Sequence, residues 1–132
     1  VHGQRHSDEK KTLPVLIGHP AGSVRQLRSY GTIPLGIEPV EACVESDAID
    51  PDQILLLYSD GWTDLPCPSG EFLGINGLTE CWREACRDTQ GESLSRTLTA
   101  LKARAAKLQS GTPAIDDRTL LLVRRRLHCQ LR

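Results

Sequence analysis

Two apolar runs of strand length constrain this chain more than any other feature. One is Ile54-Leu55-Leu56-Leu57-Tyr58 and the other is Leu120-Leu121-Leu122-Val123, opened by Thr119. A run that is apolar at every position, rather than at alternate ones, predicts a strand buried on both faces. Between the two runs lie two stripes of helical period. Leu78, Cys81, Trp82, Ala85 and Cys86 fall at i, i+3, i+4, i+7 and i+8, with Asn76 as the expected N-cap. Leu94, Leu98, Leu101, Ala105 and Leu108 make the second stripe, which Gly111 and Pro113 should stop. Upstream, Leu13 to Ile17 reads as a strand closed by Gly18 and Pro20. Ala21-Gly22-Ser23 reads as a hairpin turn into the alternating segment Val24 to Leu27. Tyr30 to Glu38 reads as an ordered Gly- and Pro-rich connection, and Glu41 to Glu45 as a further half-buried strand. Strands first, helices next and a strand to finish predict a mixed architecture with helices packed on a sheet.

The chain has 132 residues, enough for one domain, and its 39% hydrophobic and 25% charged residues allow a packed core. Sixteen Lys+Arg against seventeen Asp+Glu leave a net charge of -1, which argues against nucleic acid or an anionic membrane as partner. No apolar run approaches the roughly 20 residues that span a bilayer, so a cytoplasmic protein is expected. The five cysteines, Cys43, Cys67, Cys81, Cys86 and Cys129, are odd in number and contain no Cys-x-x-Cys pair. They read as reduced, small apolar side chains rather than a disulfide frame or a zinc site. Three segments are expected: a polar loop or frayed end over 1–12, a folded portion over 13–124 and a basic tail over 125–132. The sequence lacks methionine and starts at Val1, which leads us to expect a piece of a longer polypeptide.

The candidate chemistry lies where the apolar runs end. Asp60 follows the first run and precedes Gly61; Asp116 and Asp117 precede the second. Strands running side by side could bring these carboxylates to one sheet edge. Oxygen ligands without Cys or His suit a hard cation, Mg²⁺ or Mn²⁺. The residues alone leave a plainer reading open, in which Asp60-Gly61 is a turn and Asp116 or Asp117 a capping residue. His2 and His6, four apart beside Gly3, make a poor metal pair. Arg124, Arg125 and Arg126 read as a solvated strand exit rather than a phosphate contact. Trp62 is placed to shield the Asp60 site, whereas Trp82 lies on the apolar helix stripe and belongs to the core.

Four motifs in order carry a resemblance. Gly31-Thr32-Ile33-Pro34-Leu35-Gly36-Ile37 is similar to a G-x-P-L-G-I loop, and Leu57-Tyr58-Ser59-Asp60-Gly61-Trp62-Thr63-Asp64 to a strand ending L-Y-T-D-G-x-T-E. Gly70-Glu71-Phe72-Leu73-Gly74 is similar to G-E-x-F-G, and Asp116-Asp117-Arg118-Thr119 to a closing D-D-x-T. Together they resemble the metal-dependent serine/threonine phosphatases of the type 2C superfamily, specifically their bacterial SpoIIE branch. Asp64 stands where Glu is usual. The Asn-Ala-Gly-His-Pro element is not recognisable, and Gly18-His19-Pro20 reads as a loop.

The resemblance implies an α+β fold, part of an α-β-β-α sandwich whose antiparallel sheets are flanked by helices. It implies Asp60 and Asp116 as ligands of one Mn²⁺ or Mg²⁺, Asp117 as an accessory ligand, and Gly61 as the turn that aims Asp60. Two cations would activate a water for in-line attack on a phosphoserine or phosphothreonine. The half of the family domain that carries the remaining ligands is absent from the sequence. The expectation is therefore a phosphatase in the full-length parent, in bacterial signalling, with this portion alone inactive. The alternative is a non-catalytic regulatory or protein-interaction module derived from the same fold. Expected partners are a phosphoprotein substrate, with an anti-sigma-factor-antagonist-like protein as one candidate, and a second copy covering an exposed sheet face.

Overall fold

A computed structural model describes residues 13–27, 37–39, 46–109, 111 and 117–125. Several expectations lie outside those residues: the N-terminal segment with His2 and His6, the loop motif at 31–36, the strand at 41–45, Cys43, Asp116, Arg126 and Cys129. Among the described residues the order is β1 (Leu16–Gly18), β2 (Val24–Gln26), β3 (Ile54–Tyr58), α1 (Asp60–Thr63), α2 (Gly74–Thr89), α3 (Leu94–Leu108) and β4 (Leu120–Arg124). The strands form one antiparallel sheet in the order β2-β1-β3-β4. The fold is α+β, as expected.

Strand register decides which side chains meet the helices. Leu16 pairs with Leu56 and Gly18 with Ile54, and these positions share one face. Leu16, Ile54 and Leu56 are fully buried there, in one cluster with Leu78, Trp82, Ala85 and Cys86 of α2 and Leu101 and Ala105 of α3. Gly18 is where α2 comes nearest to β1. A Cβ at that position would lie 2.6 Å from both the Cys86 Sγ and the Trp82 Nε1.

On β3 and β4 the opposite face does not fit the expectation of strands buried on both sides, although Ile17, on the same face of β1, is 1% exposed. Leu57, Leu121 and Val123 are 37%, 55% and 40% exposed. In β4 the burial alternates, so that strand reads as two-faced rather than enclosed. The reason is layering: α2 and α3 both lie against the face that carries Leu16 and Leu56.

Element boundaries follow local hydrogen bonding. β1 starts at Leu16 rather than Leu13, although Leu27 N–H still donates to the Val15 carbonyl at 2.8 Å. Pro14, with no N–H of its own to offer a ladder, accepts the Tyr58 hydroxyl on its carbonyl at 2.7 Å. α2 begins two residues before the expected cap Asn76. Leu73 N–H donates to the Leu65 carbonyl and closes a small hairpin, and Gly74 at φ +69° turns the chain directly into the helix. Gln90 ends α2 in the left-handed conformation. The Ser93 hydroxyl caps α3 by accepting from Arg96 N–H at 3.0 Å.

Of the α3 stripe, Leu101 and Ala105 are buried together with Thr97, whereas Leu108, the last residue of the helix, is 47% exposed. α3 stops at Gln109, before Gly111. Across the helix pair, the Thr89 and Thr97 hydroxyls meet at 2.9 Å, and Arg104 of α3 pairs with Glu84 and Asp88 of α2.

Candidate functional site

Antiparallel pairing of β3 with β4 puts the end of one strand beside the start of the other. Tyr58 faces Leu120 at the last rung, so Asp60 and Asp117 emerge at the same sheet end. Ser59 fastens the junction. Its N–H donates to the Thr119 carbonyl at 3.1 Å, and its hydroxyl accepts from Thr119 N–H at 2.9 Å while donating to the Asp117 carbonyl at 3.3 Å.

The Asp60-Gly61 pair is not a turn but the opening of α1. The Asp60 carbonyl accepts from Asp64 N–H at 2.8 Å and from the Thr63 hydroxyl at 3.1 Å. That holds the backbone while the Asp60 side chain stays exposed. Gly61 contributes through its missing side chain, since a Cβ there would clash with the Asp117 carbonyl and crowd the Arg118 Cγ at 2.9 Å. It does not adopt a left-handed conformation. Its role is close approach between the two strand ends.

Asp60, Asp64 and Asp117 are exposed, and none makes an ion pair among the described residues. Among the same residues there is no group of three or more His, Cys, Asp or Glu placed to hold a metal ion. The structure sets Asp60 and Asp117, two oxygen-bearing side chains, at one sheet end, where the backbones at Gly61 and Asp117 come close. Such a donor set fits a hard cation such as Mg²⁺ or Mn²⁺, with water completing the coordination.

Two further residues belong to this corner. Trp62, expected as a shield, is 6% exposed and its Nε1 has no hydrogen-bond partner among the described residues. The Arg118 guanidinium lies over its ring at 5.1 Å from the centroid. Sequence reasoning missed Ser59 and Arg118. The available signal was positional: both lie within two residues of an aspartate that the motif order already placed at a strand end.

The other candidates fall elsewhere. Arg124 is the last residue of β4, and its Nη1 donates to the Gly91 carbonyl at 2.5 Å, at the sheet end opposite Asp60. His19 follows β1 and bonds Asp52 through Nε2 at 2.8 Å while its Nδ1 accepts from Ala21 N–H at 3.0 Å. Trp82 is core, 0% exposed. Cys67, Cys81 and Cys86 are free thiols, and burial pushes Cys86 up to about 12.

The family model described as stage II sporulation protein E (SpoIIE) matches residues 11–126, a span that includes both strand ends and the helices between them. The chain belongs to the SpoIIE family. Among solved structures, the SpoIIE chain is similar to the SiaA-PP2C domain of Pseudomonas aeruginosa, with a TM-score of 0.66 and 21% identity. The match covers 86% of this chain and 43% of that one, so this chain spans less than half the length of that domain. At this identity the likeness shows the fold, which is of PP2C type. Comparison with curated proteins gives no match.

Proposed function

We propose that this SpoIIE chain is part of a metal-dependent protein phosphatase acting on phosphoserine or phosphothreonine in bacterial cytoplasmic signalling. The observation that carries the reading is the corner where Ser59 and Gly61 bind the end of β3 to the approach to β4. That corner presents Asp60 and Asp117 together, on a chain whose family and fold are of the phosphatase type. Asp60 and Asp116 would hold the ion, with Asp117 beside them. A bound Mg²⁺ or Mn²⁺ would supply an acidified water and neutralise charge on the transferred phosphoryl group. The chain's own task is to hold the carboxylates in position. A phosphoprotein is the proposed substrate, and an anti-sigma-factor-antagonist-like protein fits that class.

A second reading, a non-catalytic interaction module, draws on one observation: the described residues gather two carboxylates rather than three or more metal-binding groups. Phosphate release from a phosphoserine peptide in the presence of Mn²⁺ separates the two. The encoded full-length polypeptide should turn the peptide over, and Asp60→Asn should lose most of that turnover while keeping its circular dichroism. Residues 1–132 alone should release none. Undiminished turnover by Asp60→Asn would remove Asp60 from the site.

A further inference from the structure

Arg118 stands among carboxylates and, among the described residues, pairs with none of them. Arg25, Arg83, Arg96 and Arg104 each form an ion pair with an Asp or Glu. Arg118 is bonded in sequence to Asp117, and its chain packs on Gly61, next to Asp60. Yet it makes no ion pair among the described residues and lies instead over the Trp62 ring. Its mount is firm at both ends. Ser59 holds the Asp117 carbonyl on one side and both backbone groups of Thr119 on the other, while Trp62 is buried beneath it. A guanidinium stacked on an indole face keeps its N–H donors in the plane of the fork, where they match two oxygens of a tetrahedral or planar oxyanion.

The electrostatics of the corner also call for such a group. A phosphoryl dianion brought beside Asp60, Asp64 and Asp117 meets exposed like charge, and one metal ion shared by the carboxylates offsets only part of it.

We propose that Arg118 is a substrate-contacting residue that receives phosphoryl oxygens of the phosphoserine or phosphothreonine side chain, with Trp62 as the platform that keeps the guanidinium turned away from the aspartates. This rests on the phosphatase reading above and adds to it the group that recognises the substrate's phosphate.

The stacked tryptophan gives a readout independent of turnover. Titrating the chain with inorganic phosphate should change its tryptophan fluorescence saturably. The change should weaken in Arg118→Lys, which keeps the charge without the fork, and vanish in Arg118→Gln. It should also vanish in Trp62→Phe, which leaves Trp82 as the only tryptophan and assigns the signal. In the full-length polypeptide, Arg118→Gln should raise KM for a phosphoserine peptide about tenfold or more, as loss of a charged hydrogen-bond partner does, with a smaller change in kcat. Arg118→Lys should fall between. A phosphate response that depends on Arg118, without peptide turnover by the wild type, would sustain the anion contact and overturn the phosphatase reading. Normal turnover with KM and fluorescence unchanged in Arg118→Gln would overturn the role of Arg118 and leave the phosphatase reading standing.

Discussion

Leu56 and Leu57 are neighbours in β3 and chemically identical, yet the first is 0% exposed and the second 37%. Strand geometry sends them to opposite faces. Leu56 meets Leu16 across the ladder and the helix layer above it. Leu57 meets Leu121, itself 55% exposed. Hydrophobicity along the strand is therefore uniform while burial is not, and the layer above each face makes the difference. The covered side also reaches the site corner. Trp62 and Leu65, just beyond Asp60, belong to the same buried cluster as Trp82.

The largest expected effect tests the contrast head on. Leu56→Ala removes a fully enclosed side chain and should cost about 2–5 kcal/mol. Leu57→Ala, made on a part-exposed position, should cost about 1 kcal/mol or less. Urea unfolding followed by circular dichroism measures both. Equal losses would mean that the two faces are equally enclosed in solution.

Overfilling the covered face comes next. An added methyl in Gly18→Ala would lie 2.6 Å from the Cys86 Sγ and the Trp82 Nε1, so α2 or the Trp82 ring must move. Forced shifts of this kind in a packed interior cost about 1–3 kcal/mol. The same measurement serves, and a neutral Gly18→Ala would show that α2 can slide on β1.

How far the sequence could be read follows the same division. Helical period located α2 and α3, and the apolar runs located β3 and β4, because those signals are written in the residues of each element. That Asp60 and Asp117 fall at strand ends was legible from motif order, and strands running side by side could bring them to one sheet end, as the β3–β4 pairing does. What could not be read was set by the other layer. Leu57 and Val123 look as buried in sequence as Leu56 and Leu122. α1 is one turn over Asp60-Gly61-Trp62-Thr63, too short to show a period. Asn76 is a sound cap by composition, yet it lost to the Leu65–Leu73 hydrogen bond, which sets where the chain can start to coil. Gly61 and the stacking of Arg118 on Trp62 depend on two segments more than fifty residues apart, and no local pattern reports such a meeting.

A third test uses titration to probe the covered face. Burial pushes the Cys86 thiol from 9.0 up to about 12 and the Tyr58 phenol from 10.0 up to about 12. Burial also raises Cys81, with Glu84 adding to it. Each folded-state value is raised, so the fold binds more protons than the unfolded chain between the two values. The stabilisation is fully present below pH 9 and is lost as pH climbs through 9 toward 12. Urea midpoints should be level from pH 7 to 8.5 and fall above pH 9. Cys86→Ala should fall less steeply. A flat wild-type profile to pH 10.5 would mean that water reaches these groups.

The smallest expected effect lies on the other face. Leu121 sits on β4, which among the described residues is an edge strand paired only with β3, and more than half of its surface is already in water. Replacing it by threonine introduces β-branching, which suits a strand, while removing apolar area that the fold only partly hides. Less than half of the roughly 1.5–3 kcal/mol gained by fully burying a leucine is then at stake. Leu121→Thr should accordingly change stability by about 1 kcal/mol or less, with the urea dependence unchanged. A loss of about 2 kcal/mol or more would require this face to be enclosed in solution. The two faces would then differ in what covers them rather than in whether they are covered.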